Sequence, residues 1–273
     1  MTSLEVKNLS KIFPDGTKAL DNVNFSISPG EAVVLLGHNG SGKSTLFNCI
    51  AGFENPSLGQ VMVGDIDITQ LNYQQLRPIR RRVGKVFQHF HLVNNLNVLQ
   101  NVLFGALGRT TFSFQTFAPI ASKQLRDRAM NCLERVGLSD FAKRRADQLS
   151  GGQQQRVAIA RMLLQEPEIV LADEPIASLD PAAGREVMDL LWKIVKEENL
   201  TVVCVLHQMN IAKEYGKRII ALKKGKLVLD NDISTISERS LEGLYKQENN
   251  DISLMQVGQG GDVENEKSIK SNV

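Results

Sequence analysis

Long apolar runs are missing from this sequence. The longest, such as Val202-Val203-Cys204-Val205-Leu206, are strand-sized and too short to cross a bilayer, which excludes an integral membrane protein and leaves a peripheral role. The first residues, Met1-Thr2-Ser3-Leu4-Glu5-Val6-Lys7, contain no apolar block, so no secretory signal is expected there. Cysteine is also scarce. Cys49, Cys132 and Cys204 stand far apart with no C-x-x-C pair, which points to buried thiols in a reducing cytosol rather than disulfides or a thiolate metal site. Nor is there an excess of one charge: 32 basic against 30 acidic residues leave a net +2, too little for a field that would draw the chain to nucleic acid. The remainder is ordinary. A hydrophobic content of 42% over 273 residues is enough for one large domain or two modest ones.

Against this background one stretch stands out, Gly37-His38-Asn39-Gly40-Ser41-Gly42-Lys43-Ser44-Thr45. It follows the apolar run Ala32–Leu36 and precedes Leu46-Phe47-Asn48-Cys49-Ile50-Ala51, which Gly52 ends. Strand, glycine loop and helix in that order make a P-loop. The glycines allow positive φ and close approach of a ligand. Successive N–H groups from Gly40 to Thr45 can converge on phosphate oxygens at the positive end of a helix. Lys43 is then expected to reach the β- and γ-phosphates, and the Ser44 hydroxyl to ligate Mg²⁺. A turn that merely caps a helix would not need the whole G-x-x-x-x-G-K-S pattern. The reading is a nucleoside triphosphate site.

The surrounding chain alternates strand and helix signals. Leu4–Leu9 and Val23–Ser28 alternate apolar and polar residues, with turns at Pro14-Asp15-Gly16 and Pro29-Gly30. Between them Phe13 is either an ordinary core or edge residue or a flat face for a purine ring. Gln60–Ile68 reads as one further strand. The arginines at 77, 80, 81 and 82 read as a solvated face, since no nucleic-acid motif accompanies them. Val83–Phe87 is a strand with Gln88 at its carboxyl end, where open α/β sheets place ligand chemistry. Residues from about 89 to 158 read as a helical insertion, with one helix over Ser122–Val136 stopped by Gly137. Within it Phe112, Phe114 and Phe117 are either core or a partner patch.

Further on, Leu149-Ser150-Gly151-Gly152-Gln153 opens a second glycine-rich helix, again offering N–H groups to an anion. Asp173 and Glu174 follow the apolar run Ile169–Ala172, placing Asp173 to hold Mg²⁺ through water and Glu174 to deprotonate an attacking water. Asp180-Pro181 is an N-cap with proline at the first helical position. His207 ends the buried strand Thr201–Leu206, as Asp173 ends its own.

The ordered set of P-loop, Gln88, LSGGQ, Asp173-Glu174, Ser178-Leu179-Asp180 and His207 resembles the ATPase subunits of ABC transporters, and the likeness runs from about residue 4 to residue 230. The resemblance implies a P-loop NTPase, RecA-like α/β core with an antiparallel β subdomain and an inserted α-helical subdomain. It implies an ABC ATPase domain over 3–245, with a polar tail of undetermined role at 246–273. Two copies would meet head to tail, ATP lying between Phe13 and Gly37–Thr45 of one and Ser150–Gln153 of the other. Gln88 would join Ser44 and Asp173 around Mg²⁺ and share catalysis with Glu174 and the γ-phosphate sensor His207, while the Asp180 loop would touch the opposite subunit. Gln208 departs from the pattern, since many importers carry an acid there. Leu107–Thr110, Arg145–Gln148, Gln154-Gln155, Asp173–Asp180 and Leu206–Gln208 resemble the phosphonate importer ATPases, a branch that also handles phosphite and hypophosphite. That likeness implies a permease, a solute-binding protein and a peripheral place on the cytoplasmic face of the membrane, without nucleic acid. An amino-acid or lipoprotein ABC system, or a soluble ABC ATPase, is the alternative, though a single cassette without a heptad region favours transport.

Overall fold

The computed structural model describes residues 2–110 and 112–236; residues 246–273, read from sequence as a polar tail, lie outside them. In chain order the described part holds β1 (Leu4–Ile12), β2 (Lys18–Ile27), β3 (Ala32–Leu36), α1 (Lys43–Ile50), β4 (Leu58–Val63), β5 (Ile66–Asp67), α2 (Tyr73–Arg82) and β6 (Val83–Val86). Then follow α3 (Val98–Leu103), α4 (Lys123–Arg135), α5 (Gly151–Leu164), β7 (Ile169–Asp173), α6 (Pro181–Glu197), β8 (Thr201–Val205), α7 (Met209–Tyr215), β9 (Arg218–Lys223) and β10 (Lys226–Asp232).

The strands form two sheets. One is antiparallel with order β2-β1-β4-β5; the other has order β10-β9-β3-β8-β7-β6, parallel except at the β10 edge. Every residue of β8 is buried, and so are Ile169–Ala172 of β7, as strands covered on both faces require. Side chains of α1 (Leu46, Phe47, Ile50) share one buried cluster with Leu4, Val6 and Leu9 of β1 and with Val33, Leu171 and Val203 of the parallel sheet. Helix α1 is therefore held between the two sheets, which fixes the glycine loop at its N-terminus.

Two sequence expectations need correction. Gln60–Ile68 is not one strand: the chain turns at Gly64 (φ 61°) and Asp65, so that β4 and β5 pair as a hairpin with Val63 opposite Ile66. Alternation along β1 also breaks. Asn8 takes φ 48° with a shift in register on both sides, so Val6 and Leu9 are both buried although three positions apart. The helix read over Ser122–Val136 is α4, and Ser122 caps it by accepting the Leu125 N–H at 3.2 Å. Position 158 falls inside α5. Phe112 and Phe114 are 56% and 52% exposed and stack on each other at 5.4 Å, so of the two readings left open, core packing does not describe them.

Candidate nucleotide site

Helix α1 begins one loop after β3, and no side chain caps its N-terminus. Gly42 occupies the cap position with φ 105°, where a Cβ would stand 2.5 Å from the Ala19 carbonyl oxygen. At Gly37 (φ 152°) a Cβ would stand 2.6 Å from the Leu222 carbonyl oxygen. Only glycine fits either place. Gly40 faces open space, Asn39 and Ser44 are exposed, and His38 and Thr45 are half-buried. Beneath the loop the buried Lys43 donates from Nζ to the carbonyl oxygens of Gly37 (2.6 Å) and His38 (2.9 Å). Burial lowers its pKa, and the carboxylates of Glu174 and Asp173 oppose that. The Ser41 hydroxyl is buried with no hydrogen-bond partner. The Ser41 N–H already donates to the His38 carbonyl oxygen at 3.1 Å, but a polar side-chain atom left so beside a helix N-terminus that no side chain caps suits a site completed by an anion.

The register of the parallel sheet brings the other residues to the same edge. Leu35 pairs with Val205, and Val205 with Asp173, so the exits of β3, β8 and β7 lie in one row with Gly37, His207 and Glu174 just beyond. Val86 pairs with Ala172, which puts the exit of β6 and Gln88 beside them. Glu174 turns through a left-handed conformation (φ 49°), and its carboxylate meets His207 Nε2. Burial pushes the Asp173 carboxyl up; the Lys85 ammonium opposes this first, Glu174 adds to it, and Lys43 and His207 oppose it further. Ser44, Gln88 and Asp173 supply a hydroxyl, an amide and one carboxylate, the hard oxygen donors that magnesium takes. Among the described residues no three His, Cys, Asp or Glu side chains form a metal cluster.

A second group gathers elsewhere. Ser150 caps α5 through a reciprocal pair: its Oγ accepts the Gln153 N–H at 3.3 Å, and Gln153 Oε1 accepts the Ser150 N–H at 3.0 Å. The Ser150 and Gln153 N–H groups are thus both engaged within the cap, so of the N–H groups expected to face an anion here those of Gly151 and Gly152 are the ones outside this pair. The nearest neighbours of Gly151 and Gly152 are Leu179, Phe90 and Ala183, so this helix start packs on the segment around Asp180. Asp180 caps α6 by accepting the Ala183 N–H at 3.0 Å, with Pro181 next, as its sequence suggests. Phe13 is half-buried outside the core cluster, with the Lys11 ammonium 5.2 Å from its ring centroid.

Sequence reasoning missed two cations. Lys85 sits within β6, among apolar neighbours, and donates to Asn48 Oδ1 at 3.3 Å. Arg161 of α5 donates to the carbonyl oxygens of His91 (2.6 Å) and Phe90 (2.8 Å), two left-handed residues just after Gln88. A charge inside a buried strand was the available signal for Lys85; nothing local marks Arg161.

The sequence pattern of the family described as ABC transporter matches residues 20–177 of this chain. The chain belongs to the ABC transporter family. Its fold is accordingly the ABC ATPase fold, and its activity that of an ABC-type ATPase. Among curated relatives, a phosphonates import ATP-binding protein of Lactococcus lactis subsp. cremoris is 43% identical over 245 residues, which cover 90% of this chain and 99% of that protein. A phosphate-import ATP-binding protein of Mycolicibacterium smegmatis is 47% identical over 241 residues, covering 88% and 91%. Among solved structures, an ABC cassette described as a dimer in a post-hydrolysis state bound to ADP and Pi superposes with TM-score 0.74 at 39% identity. It covers 84% of this chain and 98% of its own. Of the described residues of this ABC ATPase, no helix is long and apolar enough to cross a membrane.

Proposed function

We propose that this ABC ATPase powers an importer for phosphonate or a related phosphorus oxyanion such as phosphite or hypophosphite. Its catalytic half is supported by one observation, the gathering of Lys43, Asp173, Glu174 and His207 at a single sheet edge beside the glycine loop. The triphosphate of ATP lies on the N–H groups of Gly40–Thr45, the Ser41 hydroxyl gains a partner there, and the Lys43 ammonium leaves the Gly37 and His38 carbonyls for the β- and γ-phosphates. Magnesium, when bound, neutralises phosphate charge and is held by Ser44, Gln88 and Asp173. Glu174 accepts a proton from the water whose oxygen attacks the γ-phosphorus; the bond to the β-phosphate oxygen breaks and ADP departs. His207 orients the Glu174 carboxylate and reports the γ-phosphate.

Phe13 stacks on the adenine. In the head-to-tail pair the N–H groups at Gly151 and Gly152 and the Ser150 hydroxyl close over the partner's phosphates, and Asp180 touches the opposite subunit. An integral-membrane permease and a solute-binding protein complete the system, with the ATPase peripheral on the cytoplasmic face. The solute rests on the names of relatives, a warrant of likeness only. The name of the Mycolicibacterium relative favours phosphate as the second reading. Co-expression with the permease and binding protein tests both, by asking which solute stimulates ATP hydrolysis. Stimulation by phosphonate or phosphite supports the first, stimulation by inorganic phosphate alone supports the second, and stimulation only by an amino acid overturns both.

A further inference from the structure

Lys85 is a charged residue beside the site to which the proposed reaction gives no task, and its setting is specific. Parallel pairing sets it opposite Leu171 on β7, and Asp173 follows two residues later on the same face. That face looks onto α1, since Val83, Leu171 and the α1 side chains share one core. The Lys85 ammonium donates to Asn48 Oδ1 at 3.3 Å and lies 4.8 Å from the Phe87 ring centroid. Asn48 is four residues after Ser44 on α1, so it sits one helical turn below that hydroxyl, about 5–6 Å away between Cβ atoms. The ammonium thus stands under the proposed magnesium ligands, beside Asp173, in a half-buried place where a charge acts more strongly than in water. Burial lowers its pKa and the Asp173 carboxylate raises it again, as expected of two charges that feel each other.

We propose that Lys85 is a positioning residue for the metal: a fixed cation that neutralises Asp173 before magnesium binds and loosens magnesium once it is in place. The inference rests on the assignment of Ser44 and Asp173 to magnesium. A unit charge acts on a divalent ion twice as strongly as on a monovalent one, while its effect on the nearby phosphates is attractive. Removing it therefore has opposite signs with and without the metal.

Binding of ATP to the full chain, followed by titration calorimetry over a range of magnesium concentrations and again in EDTA, tests this. In Lys85→Met and Lys85→Gln the magnesium concentration for half-maximal tightening of ATP should fall on the order of tenfold. In EDTA the same variants should bind ATP no more tightly than the wild type. Lys85→Arg, which keeps the charge, should stay near the wild-type midpoint. Gln can still donate to Asn48, so it serves if Met disturbs the fold, and thermal melting monitors both. An unchanged midpoint in both neutral variants, or weaker binding with and without magnesium alike, overturns the inference. Asp173→Asn separates the two layers: if it leaves the magnesium dependence untouched, the metal assignment itself falls; if it abolishes that dependence while Lys85→Gln changes nothing, only the role of Lys85 falls.

Discussion

A thiol reacts as its thiolate, so burial protects a cysteine twice, by blocking access and by disfavouring the charge. Cys49 is buried, and burial pushes its pKa up to about 11; Cys132, on α4, is likewise pushed up to about 11, although Arg135 and Arg128 pull the other way. Burial raises the Cys204 thiol too, and the nearby Asp173 carboxylate adds to it. At pH 7.5 the Cys49 and Cys132 thiols are therefore almost wholly protonated, so alkylation by iodoacetamide should be slow in the native chain and fast in denaturant. Mass spectrometry of timed samples measures it. Cys132 is only half-buried, so rapid modification of the native chain there but not at Cys49 would show that access, not the raised pKa, sets the rate.

Elements are tied together where strands begin as well as where they end. Arg82, at the end of α2, donates from Nε to Glu168 Oε1 at 2.8 Å and from Nη2 to Glu168 Oε2 at 3.0 Å, and both residues meet the Thr2 hydroxyl. Since Glu168 directly precedes β7 and Arg82 directly precedes β6, this fork clips two neighbouring parallel strands at the sheet edge opposite the site. The Arg82 hydrogen bonds hold the Glu168 carboxyl below its usual range against the opposing effect of burial. A carboxyl depressed in the folded state stabilises above its unfolded pKa, and that contribution is lost as pH falls through the folded value. With the side chains 30% and 40% exposed, solvent screening keeps the pair to roughly 1 kcal/mol or less. Arg82→Ala should therefore cost about that much in urea unfolding at pH 7, and the gap from wild type should close as Glu168 protonates. A gap that stays constant with pH would mean that packing of the arginine stem, not the ion pair, carries the effect.

This clip also shows what the sequence could disclose. Gly37–Thr45 was legible because φ > 0 positions, a lysine and a helix start recur at fixed spacing. Asp173 and His207 were legible because each ends an apolar run. Lys85 and Arg161 were not, because their partners Asn48, Phe90 and His91 lie far away in sequence and only the register of β6 and the docking of α5 bring them together. The β4–β5 hairpin escaped for a related reason: Gly64-Asp65 is a turn signal too short to stand out within an otherwise strand-like stretch.

At the scale of the whole molecule, one chain carries a catalytic edge and, on α5, a capped helix start whose neighbours are the Asp180 segment and Phe90 rather than the glycine loop. In the proposed head-to-tail pair each helix start would close the other's site, and hydrolysis would depend on the pair. Glu174→Gln separates closing from cleaving. The amide keeps the size of the carboxylate and can still hydrogen-bond to His207, but it takes no proton from water, so turnover should fall by about 10²–10⁴-fold while ATP binding persists. With cleavage stopped, the closed pair has no route to ADP, and ATP with magnesium should shift this variant from monomer to dimer in size-exclusion chromatography with light scattering. Adding Ser150→Arg to the same chain should return it to monomer with ATP still bound, because the bulky cation sits at the surface that closes. A Glu174→Gln chain that remains monomeric with saturating ATP, or a wild-type monomer that hydrolyses at its full rate when diluted, would place all of the catalysis within one subunit and remove the reason for the second.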